Sequence, residues 1–362
     1  MNKVKILRPD DWHLHLRDGE TMKAVLPATA RAYGRAMVMP NLTPPITSVK
    51  QAVEYRKKIV ESIPDKNNFT PLMTCYLTDS TSPHELVKGF MDQVFIAAKL
   101  YPAGATTNSE NGVTSIKNIY SVLEKMEIHG IPLSIHGEVT NPEVDIFDRE
   151  KVFIEQVLIP IRKKFPELKI VFEHLSSKEG VDYVLEKDGP TFSTITPHHM
   201  LLTRNDLFKG GLRMFNYCLP VVKKETDRKA IVDAATSGDD HFFFGSDSAP
   251  HFEKNKLKDK AAGGIFNAPN SIEYVTQIFA ENNKIDQLEK FTSLNGASFY
   301  GFAPSEESLI LIKKEKPIEK DLSIMQGKDN IRSFKPDVPL YWEIAGSNYN
   351  NRFEKNEIED AR

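Results

Sequence analysis

Eight short apolar runs, many ending in a polar or ionisable residue, constrain this chain more than any other feature of it. They cover residues 12–16, 36–41, 72–77, 94–101, 133–138, 170–174, 191–198 and 242–247. Helical periodicity fills most gaps between them, as at 48–63, 114–128, 149–165 and 224–237. Strands alternating with helices form βαβ units and a parallel sheet. Eight such units predict an α/β chain closed into a (β/α)8 TIM-like barrel, with its active site where the strands end. An open doubly wound sheet is the competing architecture. No G-x-G-x-x-G or G-x-x-x-x-G-K-S/T opens a helix after any of the runs to support it.

After Phe302 the pattern changes. SLILIKKEKPIEK and VPLYWEI predict short β segments rather than another βα unit. The expected division is a barrel over 1–302, a small β appendage packed on it over 303–345, and a polar tail over 346–362. The formal net charge of −3 gives no electrostatic reason to expect nucleic acid or an anionic membrane as partner. Cys75 and Cys218, the two cysteines, are too few for a disulfide framework. The start of the chain turns polar after a few residues, and the expected location is cytoplasmic.

The ends of the runs carry the chemistry. His13 and His15 are two residues apart in a strand, so they share one face, with Arg17 next on it. Two neutral imidazoles on one face can chelate a cation; two satisfied core histidines are the plainer alternative. Lys99 stands in the middle of an apolar run, where an ammonium is costly unless paired or neutralised. Carboxylated by carbon dioxide, Lys99 becomes an anionic oxygen ligand able to bridge two metals; otherwise its head escapes to solvent. His136, His174 and Asp247 end three further runs, with His251 four residues beyond Asp247. Imidazole and carboxylate without thiolate suit zinc, with manganese or cobalt as substitutes. Six ligands with a bridging anion serve two metals. His198 and His199 could line the site but receive no ligand role. His84, His129 and His241 lie outside it, and Trp12 is expected to pack beneath the first strand.

Taken in order from Asp11 to about Phe302, DWHLHLRDG, MVMPNLTPP, AAKLYPAGATTNS, IHGEV, FEHLSS, TPHHM and GSDSAPH resemble the dihydroorotases of the bacterial short-chain type, within the amidohydrolase superfamily. The resemblance implies a homodimeric enzyme that interconverts carbamoyl-aspartate and dihydroorotate in pyrimidine biosynthesis. It implies two zinc ions per chain: His13, His15 and Asp247 on the more buried one, His136 and His174 on the other, and carboxylated Lys99 on both. It further implies that Arg17, Asn41 and His251 hold the substrate carboxylate. The backbone at Leu219 and around Gly263 would contact the ring amide edge, and Thr106 and Thr107 would lie on a closing loop. The metals would supply a nucleophile from water near neutrality. Asp247, the carboxylate side chain of the set, would take its proton and pass it to the leaving nitrogen. A hydantoinase, an allantoinase or a non-catalytic scaffold are the competing readings; Arg17, Asn41 and His251 demand an acidic substrate and separate the first two.

Overall fold

The computed structural model describes residues 2–345 apart from 66, 187, 319–322 and 327–328, so the expected tail over 346–362 lies outside the described residues. The first strand, β1, is Lys3–Leu7. The next eight are β2 (Asp10–Leu14), β3 (Arg35–Val38), β4 (Thr70–Tyr76), β5 (Phe95–Leu100), β6 (Leu133–Ile135), β7 (Ile170–Phe172), β8 (Thr191–Ile195) and β9 (Phe242–Phe244). These eight form one sheet in chain order, parallel at every pairing. Leu14 makes a parallel bridge to Ser248. Asp247 N donates to His13 O at 2.8 Å and His15 N to Ser248 O at 2.9 Å, so the last strand returns to the first and the barrel closes. Asp11 completes this seam, its Oδ1 accepting from Ser246 N at 2.8 Å and His13 N at 3.2 Å.

Each of the eight apolar runs overlaps a strand, but several strands stop short of the polar residue expected to end them. His174 and Asp247 both have φ of 42° and Arg17 has 66°, a left-handed backbone that leaves the extended ladder. The functional ends are therefore turns at the barrel mouth. Inside the barrel Trp12, Met37, Met39, Leu72, Ala97, Val171 and Phe243 form an apolar cluster. Tyr300, from the helix Asn295–Tyr300, stacks on Trp12 with centroids 4.6 Å apart. Alternation then places Asn41, Lys99 and Glu173, each two residues beyond a member of that cluster, inward and nearer the mouth. The outward residues Leu14, Val38, Ala98, Leu100, Ile135 and Phe172 join the core beneath the surrounding helices.

The helix expected over 48–63 is Val49–Glu61, opened by a capping box between Ser48 and Gln51. The one expected over 149–165 is interrupted. Arg149–Phe153 and Ile159–Lys164 are α-helical, with a π turn at Ile154–Leu158 between them. Pro160 has no N–H to donate, and the wider turn before it accommodates the loss.

The chain beyond the barrel contributes β10 (Ser308–Lys313), β11 (Ile324–Gln326), β12 (Asp329–Ile331) and β13 (Trp342–Ile344). Here β1 corrects the expectation that all of 1–302 belongs to the barrel: it pairs antiparallel with β10, which pairs with β13. In β1 only Val4 and Ile6 are buried, opposite Leu311 and Leu309, whereas every residue of β2 is buried. One-sided burial suits an antiparallel sheet with a solvated face, not a barrel stave covered on both sides. Among the described residues no helix is long and apolar enough to cross a membrane.

Candidate metal centre and active site

The barrel mouth brings together every residue proposed as a metal ligand. His13, Lys99, His136 and His174 are at most 2 % exposed, with His15 at 9 % and Asp247 at 6 %. Asp247 Oδ1 lies 3.3 Å from His13 Nε2 and 3.1 Å from His15 Nε2, a triangle of three ligand atoms. His136 Nδ1 lies 3.2 Å from His174 Nε2. The His13 and His174 rings, 5.1 Å apart, place the two groups side by side. Lys99 Nζ meets the carboxylate of Glu173, whose other oxygen is 3.1 Å from His13 Nδ1.

The hydrogen bonds behind these rings test whether cations fit. Asn41 Nδ2 donates to Thr107 O at 2.9 Å, so Asn41 Oδ1 accepts from His15 Nδ1–H at 2.8 Å. His15 Nε2 then presents a lone pair to a carboxylate oxygen of Asp247. Behind the second group, His136 Nε2–H donates to Glu138 Oε2 at 2.9 Å. The lone pair on His136 Nδ1 therefore faces His174 Nε2. Acceptors held this close, deep in a buried site, fit a cation between them, and outer partners that fix the ring tautomers are a regular part of such sites. The residues present fit divalent metal ions.

Electrostatics agree with that geometry. Burial pulls His15 down to about 4 and lowers His13 and His174 as well, so these rings are neutral, the form a metal ligand requires. Burial alone would raise Asp247; the His13 and His15 rings beside it outweigh that and hold the carboxyl below its usual range. Burial depresses Lys99 strongly, favouring the neutral amine, which is the form that reacts with carbon dioxide.

A cationic edge adjoins the ligands. Arg17 Nε donates to Pro250 O at 3.1 Å and its Nη2 lies 3.0 Å from His251 Nε2. Both partners are uncharged groups, since burial keeps His251 neutral. His251 Nε2 is also 3.2 Å from Gly263 O, and Gly263 and Leu219 line the same space as the metal-ligand set. Thr106 and Thr107 cover it. Thr107 Oγ1 donates to Gly263 O at 3.4 Å, and Asn108 Nδ2 donates to Asn41 O at 3.0 Å. The space left between these residues is about 20 Å³. Asn41, expected on the substrate carboxylate, has both amide ends engaged while this loop is down.

Sequence reasoning missed Glu138, Glu173 and Lys256. A signal existed for Glu173, which alternation puts on the inward face two residues after Val171. None existed for Lys256, whose buried Nζ donates to Tyr217 O and Gly264 O, both at 2.8 Å, and so ties together the segments that carry Leu219 and Gly263. His198, His199 and Cys218 also place ligand atoms within 4.8 Å of one another. His199 already spends both ring nitrogens, on Thr196 Oγ1 at 2.8 Å and Pro220 O at 2.9 Å, so this cluster is not open to a metal.

A parallel eight-stranded barrel with histidine, lysine and aspartate converging at its mouth defines a class, and the Amidohydrolase family matches residues 10–309 of this chain. The chain belongs to that family, whose dihydroorotase members depend on metal. A dihydroorotase of Jannaschia sp. is 48% identical over 341 residues, 94% of this chain and 98% of that protein. The structure of Saccharomyces cerevisiae dihydroorotase in complex with 5-fluoroorotic acid superposes with a TM-score of 0.86 at 32% identity, over 95% of this chain and 98% of that one. Campylobacter jejuni dihydroorotase gives the same TM-score of 0.86 at 32% identity and the same coverage, 95% and 98%. Within the family, the chain stands in the dihydroorotase branch.

Proposed function

We infer that this chain is a dihydroorotase, closing N-carbamoyl-L-aspartate to L-dihydroorotate with loss of water and reopening the ring by hydrolysis. One observation carries the reading: two adjacent sets of buried metal-ligating atoms lie beside Arg17, a cation whose hydrogen-bond partners, Pro250 O and His251, are both uncharged. An acidic cyclic amide supplies the missing anion and offers its carbonyl to the metals.

Zinc is the metal we assign, two ions per chain, with His13, His15 and Asp247 holding one and His136 and His174 the other. As a neutral amine Lys99 would take up carbon dioxide with release of a proton, and its carbamate would supply an anionic oxygen ligand for the pair. When bound, the ions supply an acidified water and a Lewis acid for the amide carbonyl. The chain's own residues do the rest. Arg17 and His251 bind the substrate carboxylate, joined by Asn41 Nδ2 when Thr107 releases it. Backbone groups at Leu219 and Gly263 hold the amide edge, and Thr106 and Thr107 exclude bulk water. In the hydrolytic direction Asp247 accepts the proton of the attacking water as the new C–O bond forms. It returns that proton to the ring nitrogen as the C–N bond breaks. Cyclisation runs the same transfers in reverse. The assembly we assign is a homodimer, to be read by light scattering.

Turnover by zinc-loaded protein on dihydroorotate and carbamoyl-aspartate, with hydantoin and allantoin as controls, tests the reading. Activity confined to the first two is expected. Activity confined to the neutral rings would overturn the substrate assignment while leaving the metal site standing.

A further inference from the structure

Tyr101 lines the same small space as the proposed metal-ligand set. Its side chain is 1 % exposed, yet its hydroxyl has no hydrogen-bond partner among the described residues. Buried polar groups in folded proteins are nearly always bonded, so an orphan at an active site calls for a partner that arrives later. Of the other buried ring atoms lining this space without a hydrogen-bond partner, His13 Nδ1 lies 3.1 Å from Glu173 Oε1 and His174 Nδ1 belongs to a proposed ligand ring.

The phenol is held in place. Its backbone carbonyl accepts from Val113 N at 2.8 Å. Its ring packs on Tyr76 at 5.2 Å and on His136 at 6.3 Å, and Lys99 Nζ lies 4.8 Å from its centroid. Tyr76 in turn donates its hydroxyl to Asn108 O at 3.2 Å, which fixes the stack to the covering loop. A phenol titrates at about 10 in water, so the Tyr101 hydroxyl is protonated at neutral pH and available as a donor, and it shares this space with Asp247 and Arg17.

We propose that the Tyr101 hydroxyl donates a hydrogen bond to an oxygen of the bound substrate. A donor locked in place before the substrate arrives loses little freedom on binding, and in a water-poor site its bond is strong. The inference rests on the dihydroorotase reading, because only a substrate with acceptor oxygens beside Arg17 and Asp247 can complete the pair.

The test compares wild-type and Tyr101→Phe in zinc-loaded form. Because the hydroxyl has no partner in the protein, its removal leaves zinc content unchanged and the unliganded melting temperature unchanged or higher. The expected losses are a fall of about 10- to 100-fold in kcat/KM for dihydroorotate and a smaller thermal shift with 5-fluoroorotic acid. Kinetics within about twofold of wild type would overturn the proposal. So would loss of zinc, which would tie the hydroxyl to the metal site, or a destabilised unliganded protein with its ligand shift intact. Wild-type protein inert toward dihydroorotate would remove the substrate reading and this inference together, whereas an active wild type matched by an equally active variant removes this inference alone.

Discussion

The carboxylate of Glu173 lies against the amine of Lys99, and both side chains are wholly buried inside the barrel. The same carboxylate reaches His13 Nδ1 at 3.1 Å. Glu173 therefore touches two of the proposed metal ligands from behind. Glu173→Gln, which keeps the volume and removes the charge, is expected to weaken zinc binding about 10- to 100-fold. Competition with a chromophoric chelator measures it, and unchanged affinity would show that Glu173 only fills space.

Lys99 is the one strand residue whose proposed ligand chemistry needs a modification. Lys99→Ala is expected to lose the metal pair and nearly all turnover. Metal analysis of the purified variant reads the first and a dihydroorotate assay the second. Two tightly held ions in that variant would end the bridging assignment.

Acid should destabilise the metal-free protein, and the sign follows from the histidines. Burial holds His15 and His199 at about 4, against 6.5 for an exposed ring. Between those values the unfolded chain binds protons that the folded chain refuses, so stability falls as pH drops. The contribution is fully present above 6.5 and lost toward 4, at most about 3 kcal/mol for each ring. Urea midpoints of metal-free protein at about pH 7 and about pH 4.5 are the measurement, with the lower midpoint expected in acid. His199→Gln should shrink the difference; equal midpoints for the wild type would refute the sign.

Gly264 adopts φ of +148°, and a Cβ there would sit 2.8 Å from Ala249 Cβ and 2.9 Å from His251 Cδ2 and Nε2. Gly264→Ala must strain the backbone or push the His251 ring from its place beside Arg17. A loss of about 1–3 kcal/mol is expected, together with a raised KM for dihydroorotate. Thermal unfolding and steady-state kinetics check both. A variant with normal stability and KM would mean that the loop re-forms without disturbing His251.

The alternation of apolar runs was enough to read the barrel, because a stave buried on both faces leaves a run that surface residues do not interrupt. It was not enough to read β1. Lys3–Leu7 has the one-sided pattern of an antiparallel strand, but its partner is about three hundred residues away and leaves no local trace. His13 and His15 were legible because a period of two puts them on one face. Glu173 obeys the same period and went unread beside the more conspicuous His174. Lys256 had no period to obey; its two carbonyl acceptors come from separate loops.

What the sequence determined by itself was the barrel, the residues proposed as metal ligands and as the cationic edge, and their order around its mouth. These depend on spacing along one chain and on the cost of burying charge. Tertiary structure alone decided which nitrogen of His15, His136 and His13 faces inward, because Asn41, Glu138 and Glu173 reach those rings across the fold. It also decided that Thr107 closes on Asn41 and Gly263, and that the Tyr101 hydroxyl is left without a partner. Hydrogen bonds between distant segments are fixed to tenths of an ångström by packing, and no spacing within a linear sequence encodes that.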